Sequence, residues 1–113
     1  MDGDSRGFRY HEHTADITVE CWAPTLQDAF EVAALATFEV MVDTSTVRPT
    51  VPAEVKVNGI DLEELLVEWI GQLIALVDLN NHFYSKFEVQ SIHRTSDDDR
   101  WQLHGVAWGE EID

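Results

Sequence analysis

The sequence predicts one α/β domain of the α+β kind: a two-layer sandwich with two helices packed on one face of a mixed sheet. Three observations lead there. The 113 residues suffice for a single hydrophobic core and not for two. Apolar residues recur at period two in four stretches and at helical spacing in two, in the order strand, helix, strand, helix, strand, strand. The strand-like stretches alternate apolar with polar residues, which describes a sheet covered on one side and partly open on the other. Residues 1–113 therefore form the domain, with 1–8 as a flexible polar arm.

The first alternating stretch runs from Arg9 to Trp22 and reads as one half-buried strand. On this reading His11, His13, Ala15, Ile17, Val19 and Cys21 share one side, and Glu12, Thr14, Asp16, Thr18 and Glu20 the other. Pro24 stops it. Thr25 caps a helix, with Asp28 three residues on as in a capping box. Leu26, Ala29, Phe30, Ala33, Ala34, Phe38 and Met41 then recur at helical spacing, so one helix face docks on the sheet, and the helix ends near Asp43.

Thr44 to Pro52, with Pro49 and Pro52, forms the long loop. Val55 and Val57 alternate with Glu54 and Lys56, and Asn58-Gly59 forms a turn. Asp61 caps a second helix, whose wide apolar face comprises Leu62, Leu65, Leu66, Trp69, Ile70, Leu73, Leu76 and Val77. Gly71 costs this helix about 1 kcal/mol against alanine, which would mark close packing on the first helix. Asn80-Asn81 closes it. Two alternating runs, Phe83 to His93 and Arg100 to Trp108, flank the acidic loop Ser96-Asp97-Asp98-Asp99 as a hairpin.

The net charge of −15 repels phosphate backbones, so no direct high-affinity binding of nucleic acid is expected, and a basic protein or a metal cation is favoured. An acidic coat that high internal salt would screen accounts for the same number. The one cysteine, Cys21, cannot form an intrachain disulfide and reads as a small buried hydrophobe. No apolar run reaches membrane-spanning length and the first residues are acidic, so the expected location is the cytoplasm.

Chemistry-bearing clusters are few. His11-x-His13 can seed a zinc site, but His82, His93 and His104 are scattered along the chain, and hydrogen-bonded histidines near a sheet edge explain the pair more simply. Glu12, Thr14 and Asp16 offer oxygen ligands to a hard cation, although any solvent-facing strand side shows the same alternation. The run Asp97-Asp98-Asp99 lacks the glycine and terminal glutamate of an EF-hand loop, which favours an acidic turn. There is no phosphate-cradling glycine loop, no Gly-x-Ser-x-Gly and no His-Glu-x-x-His, and no catalytic residue is assigned.

Read in order, Glu12-His13-Thr14-Ala15-Asp16, the helix around Ala29–Ala34, Phe38-Glu39-Val40-Met41-Val42-Asp43, Asp61–Trp69 and Gly109-Glu110 resemble the archease family. The likeness runs from about Tyr10 to the last residue. It implies a sheet with helices against it, and an acidic accessory protein, not an enzyme, that activates the RtcB-type tRNA-splicing RNA ligase. That ligase uses GTP to guanylylate one of its own histidines, and the accessory promotes this step and multiple turnover in tRNA exon ligation.

The resemblance further implies a divalent-cation site, calcium in type, that uses the aspartate of His-Thr-Ala-Asp, here Asp16. His13 and Thr14 would orient it through hydrogen bonds. Asp61 could belong to the partner-facing surface, but the cap is favoured. Family members continue past Gly-Glu to a second metal-binding aspartate, so the family's C-terminal segment is expected to be absent here. Asp113 is then the candidate C-terminal ligand, and an unpaired sheet edge would invite a homo-oligomer. The alternative is a chaperone-like or scaffolding module for RNA-processing enzymes without a direct role in nucleotide chemistry.

Overall fold

The computed structural model describes residues 5–12, 17–97 and 99–112. The chain runs β1 (Gly7–Glu12), β2 (Ile17–Trp22), α1 (Leu26–Met41), a single 3-10 turn (Thr44–Thr46), β3 (Val51–Gly59), α2 (Leu62–Asn80), β4 (His82–Arg94) and β5 (Trp101–Glu111). The α+β class holds, with both helices packed against a sheet. The strands, however, divide into two sheets and every pairing is antiparallel: β1 with β2, and a three-stranded sheet in the order β3-β5-β4. The single mixed sheet expected from the sequence is corrected accordingly.

The largest correction is at the N-terminal end. Arg9 to Trp22 is two strands and not one, because β1 and β2 pair with Gly7 opposite Trp22 and Glu12 opposite Ile17. Residues directly opposite in an antiparallel pair share a face, so Phe8, Tyr10 and Cys21 lie together and His11 lies on the other side. The expected grouping of His11 with Cys21 fails for that reason. β1 also begins inside the stretch expected to be a flexible arm.

Both helix starts follow local chemistry. The Thr25 hydroxyl accepts from the Asp28 N–H at 3.1 Å, and the Asp61 carboxylate accepts from the Glu64 N–H at 2.7 Å. Each satisfies one of the orphan donors of a first turn. Asn81 ends α2 in the left-handed conformation at φ 54°, which asparagine tolerates better than most residues. β4 and β5 form the expected hairpin around the acidic loop, closed by the Thr95 N–H donating to the Arg100 carbonyl at 2.8 Å.

The core lies between the helices and the three-stranded sheet. Phe30, Ala34 and Phe38 of α1 and Leu65, Trp69 and Leu73 of α2 meet Val55, Tyr84, Phe87, Val89, Leu103 and Ala107. Spacings of three and four residues on each helix put these side chains on one stripe. Trp69 is fully buried, and its indole N–H donates to the Phe30 carbonyl at 3.0 Å. The ring lies over Gly105, where a Cβ would stand 2.9 Å from Trp69 Cη2. α1 buries a second set, Val32 and Ala36, because the β1–β2 hairpin packs on its far side.

Two glycines behave differently from expectation. Asn58 and Gly59 do not form a turn: they complete β3, opposite Gln102 and Trp101. A Cβ on Gly59 would come within 2.7 Å of the Leu65 backbone nitrogen, so glycine there permits β3 to reach the first turns of α2. Gly71 does not mark close packing on α1 either, since a Cβ built on it meets nothing within 4 Å. The expected loop to Pro52 also ends earlier, as Val51 and Pro52 already belong to β3, an edge strand that tolerates proline.

Candidate functional site

Apart from Asp113, the residues singled out for metal binding belong to the end of β1 or to the stretch of sequence between β1 and β2. β1 ends at Glu12 and β2 begins at Ile17. His13, Thr14 and Asp16 lie outside the described residues, as does Asp113. Among the described residues, no three His, Cys, Asp or Glu side chains gather as a metal-holding group. Asp61 is the N-cap of α2, and Glu64 returns the favour by accepting the Ile60 N–H at 3.1 Å. Its place is explained by helix capping alone.

The described part of the hairpin shows what holds this end of the molecule. The Tyr10 hydroxyl donates to the Ala36 carbonyl of α1 at 2.6 Å, and Phe8 meets Tyr10 edge to face at 5.5 Å. Burial, then the carboxylate of Glu39 and the thiol of Cys21, push the Tyr10 phenol above its ordinary value. Arg6 reaches Asp28 at 3.1 Å and Glu31 at 3.3 Å on α1. Arg9 stacks over Trp22 at 5.2 Å, which covers the opposite Gly7. These contacts tie β1 and β2 to the first helix through polar anchors.

Glu31 was not singled out from the sequence and has two partners. Besides Arg6, its second carboxylate oxygen accepts the Val89 N–H of β4 at 2.7 Å. Gln27 donates to the Gln90 carbonyl at 3.5 Å. Side chains of α1 thus occupy backbone groups on the outer edge of β4, a site where strand addition would otherwise start. The only sequence signal was a carboxylate inside an apolar helix repeat.

Among the described residues the histidines do not gather. His104 Nε2 lies 2.7 Å from Glu54 Oε1 on the uncovered side of the three-stranded sheet. His82 stacks on Tyr84 with ring centroids 6.2 Å apart, and its Nδ1 is buried without a hydrogen-bond partner. Cys21 is exposed and not buried as expected, although partial burial still raises its thiol pKa. It borders a groove of about 380 Å³ between α1 and α2, lined also by Phe30, Ala33, Thr37, Leu66 and Ile70. No helix of the described residues is long and apolar enough to cross a membrane.

Comparison with known proteins places this fold. The profile of the Archease protein family (MTH1598/TM1083) matches residues 8–113. "Protein archease" of Sulfurisphaera tokodaii is 45% identical over 106 residues, covering 94% of this chain and 73% of the relative. The protein of the same name from Saccharolobus solfataricus is 42% identical over 107 residues, with 95% and 73% covered. The solution structure of Methanobacterium thermoautotrophicum protein 1598 superposes with a TM-score of 0.71 at 36% identity, over 95% of this chain and 74% of that one. Sequence likeness across nearly the whole chain and a shared arrangement of helices and strands agree, and the chain belongs to the Archease protein family.

Proposed function

We propose that this protein is a non-catalytic accessory of RNA processing that activates an RtcB-type RNA ligase. In this role it promotes guanylylation of the ligase and multiple turnover in tRNA exon ligation. The observation that carries the reading is the 45% identity to a protein archease over 94% of the chain. The acidic surface supports it: a net charge of −15 accelerates encounter with a basic, RNA-binding partner and discourages competition for the RNA itself.

A divalent cation, calcium in type, belongs to this proposal. A carboxylate such as that of Asp16 suits a hard, oxygen-seeking ion, and the cation would supply charge compensation or metal exchange near the ligase's nucleotide. In this proposal His13 and Thr14 orient Asp16 through hydrogen bonds, and Asp113 is a further candidate ligand. Asp61 is left to its helix cap.

The test is guanylylation of the cognate ligase with GTP, with and without the purified chain, in calcium or in chelator. Acceleration that Asp16→Ala abolishes supports both the activator role and the carboxylate. Acceleration indifferent to Asp16→Ala and to chelator removes the metal from the reading. No acceleration by a demonstrably folded chain overturns the activator role and leaves a scaffolding module in its place.

A further inference from the structure

The outward side of α2 carries an apolar stripe whose inner residues, Leu66, Ile70 and Val77, rest partly against the core and whose outer residues, Val67 and Ile74, are exposed among the described residues. Leu66, Val67, Ile70, Ile74 and Val77 follow one another at spacings of one, three and four, and Val67 and Ile74 are 64% and 42% exposed. Leu66 and Ile70 continue this stripe into the groove against Phe30, Ala33 and Thr37 of α1. Gly71 lies along the stripe with open space where a side chain would stand, so another backbone can come close there. A contiguous apolar surface of this kind on an otherwise highly charged chain marks an interaction site.

The charge around it narrows the occupant. Neither helix contains a lysine or arginine. Glu63 and Asp78 stand at the two ends of the stripe, both exposed, and among the described residues neither has a cation at ion-pair distance. A second copy of the chain would bring Glu63 and Asp78 against carboxylates of its own α2, with no cation in either helix to offset them. Nucleic acid and anionic lipid meet the same repulsion. A helix with apolar residues on one side and lysine or arginine at its flanks satisfies both the floor and the rim.

We infer that the groove between α1 and α2, with the exposed stripe of α2, is a docking surface for a basic amphipathic helix of another protein. The apolar side of that helix lies on Val67, Ile70 and Ile74 and crosses α2 at Gly71. Its cations face Glu63 and Asp78. The interaction requires nothing of His13 to Asp16 and is therefore separable from the proposed metal chemistry.

The experiment is a fluorescence-anisotropy titration of the folded chain with a labelled 14-residue peptide of leucine and lysine in helical amphipathic spacing. Three variants add one positive charge each: Gly71→Lys and Ile74→Lys on the exposed stripe of α2, and Gln102→Lys on the uncovered side of the three-stranded sheet. Gly71→Lys also improves helix propensity and meets no neighbour, so its fold is secure. The expected result is binding weakened about tenfold or more by Gly71→Lys and Ile74→Lys, and less than about twofold by Gln102→Lys. Equal weakening by all three variants would reduce the effect to diffuse attraction and overturn the site. So would equally tight binding of a peptide with every leucine replaced by serine, or no binding of the leucine–lysine peptide at all.

Discussion

The two hairpins of this protein are built on the same pairing and held by different forces. In β4–β5, Tyr84, Phe87, Val89, Leu103 and Ala107 are all buried against the helices, and β3 pairs on the far side of β5. Among the described residues β1–β2 is a sheet of two strands that packs on α1 beside Val32 and Ala36, with the Tyr10 hydroxyl on the Ala36 carbonyl and Arg6, just ahead of β1, on Asp28. An isolated two-stranded ribbon is marginal in water, so the first hairpin depends on α1 for its order. The second hairpin is part of what makes α1 stay in place. The strands that flank the motif of the proposed function thus lean on α1, whereas the second hairpin is backed by both helices and a third strand.

Trp69→Ala should break the more strongly held half. It removes the largest fully buried side chain and takes the indole donor from the Phe30 carbonyl. A loss of about 3–5 kcal/mol is expected in urea unfolding, with no change in the denaturant dependence. A loss below about 1 kcal/mol would mean that this core does not bear the fold.

Tyr10→Phe sharpens the contrast from the other side. It deletes one hydroxyl whose acceptor is the Ala36 carbonyl, so about 1 kcal/mol is expected. That loss should appear as faster amide exchange in residues 7–12 and 17–22, with β4 and β5 left as protected as before. Uniform acceleration in all strands would show that the two hairpins open as one unit and cancel the distinction drawn here.

The smallest effect concerns the end of β5. The backbone N–H of Arg48, and then its guanidinium at 3.0 Å, hold the Glu110 carboxyl below the ordinary carboxylate range. A depressed folded-state value gives a contribution that is present above the unfolded value and lost as pH falls through the folded one, here at the acid end. Arg48→Gln removes the guanidinium and keeps the backbone donor. NMR titration of the Glu110 side chain should therefore show a rise only part of the way to the ordinary value. A full return would mean that the backbone bond contributes nothing.

Much of this architecture could be read from local chemistry. The caps are short-range rules, and the structure shows each: at Thr25 and Asp61 a side chain accepts a backbone N–H three residues on, and Asn81 ends α2 by taking the left-handed conformation. The helical stripe of α2 and the acidic turn after β4 are similarly local. The division of Arg9–Trp22 was not legible because alternation has the same period in one long strand as in two joined strands. Only the pairing of Glu12 with Ile17 separates them. The candidate site was legible through the motif at Glu12–Asp16 and its family resemblance, while the anchoring role of Glu31 depends on Val89, 58 residues away.

By itself, the sequence determined the helices, their ends, the order of elements from α1 onward, the acidic charge and the family, because each rests on neighbouring residues or on the chain as a whole. Only the tertiary structure decided that the strands form two sheets, that α1 is buried on both sides and that Gly71 faces open space. Those outcomes depend on which surfaces meet. A helical glycine has the same local geometry whether a neighbour or solvent lies above it, and only the packed fold distinguishes the two.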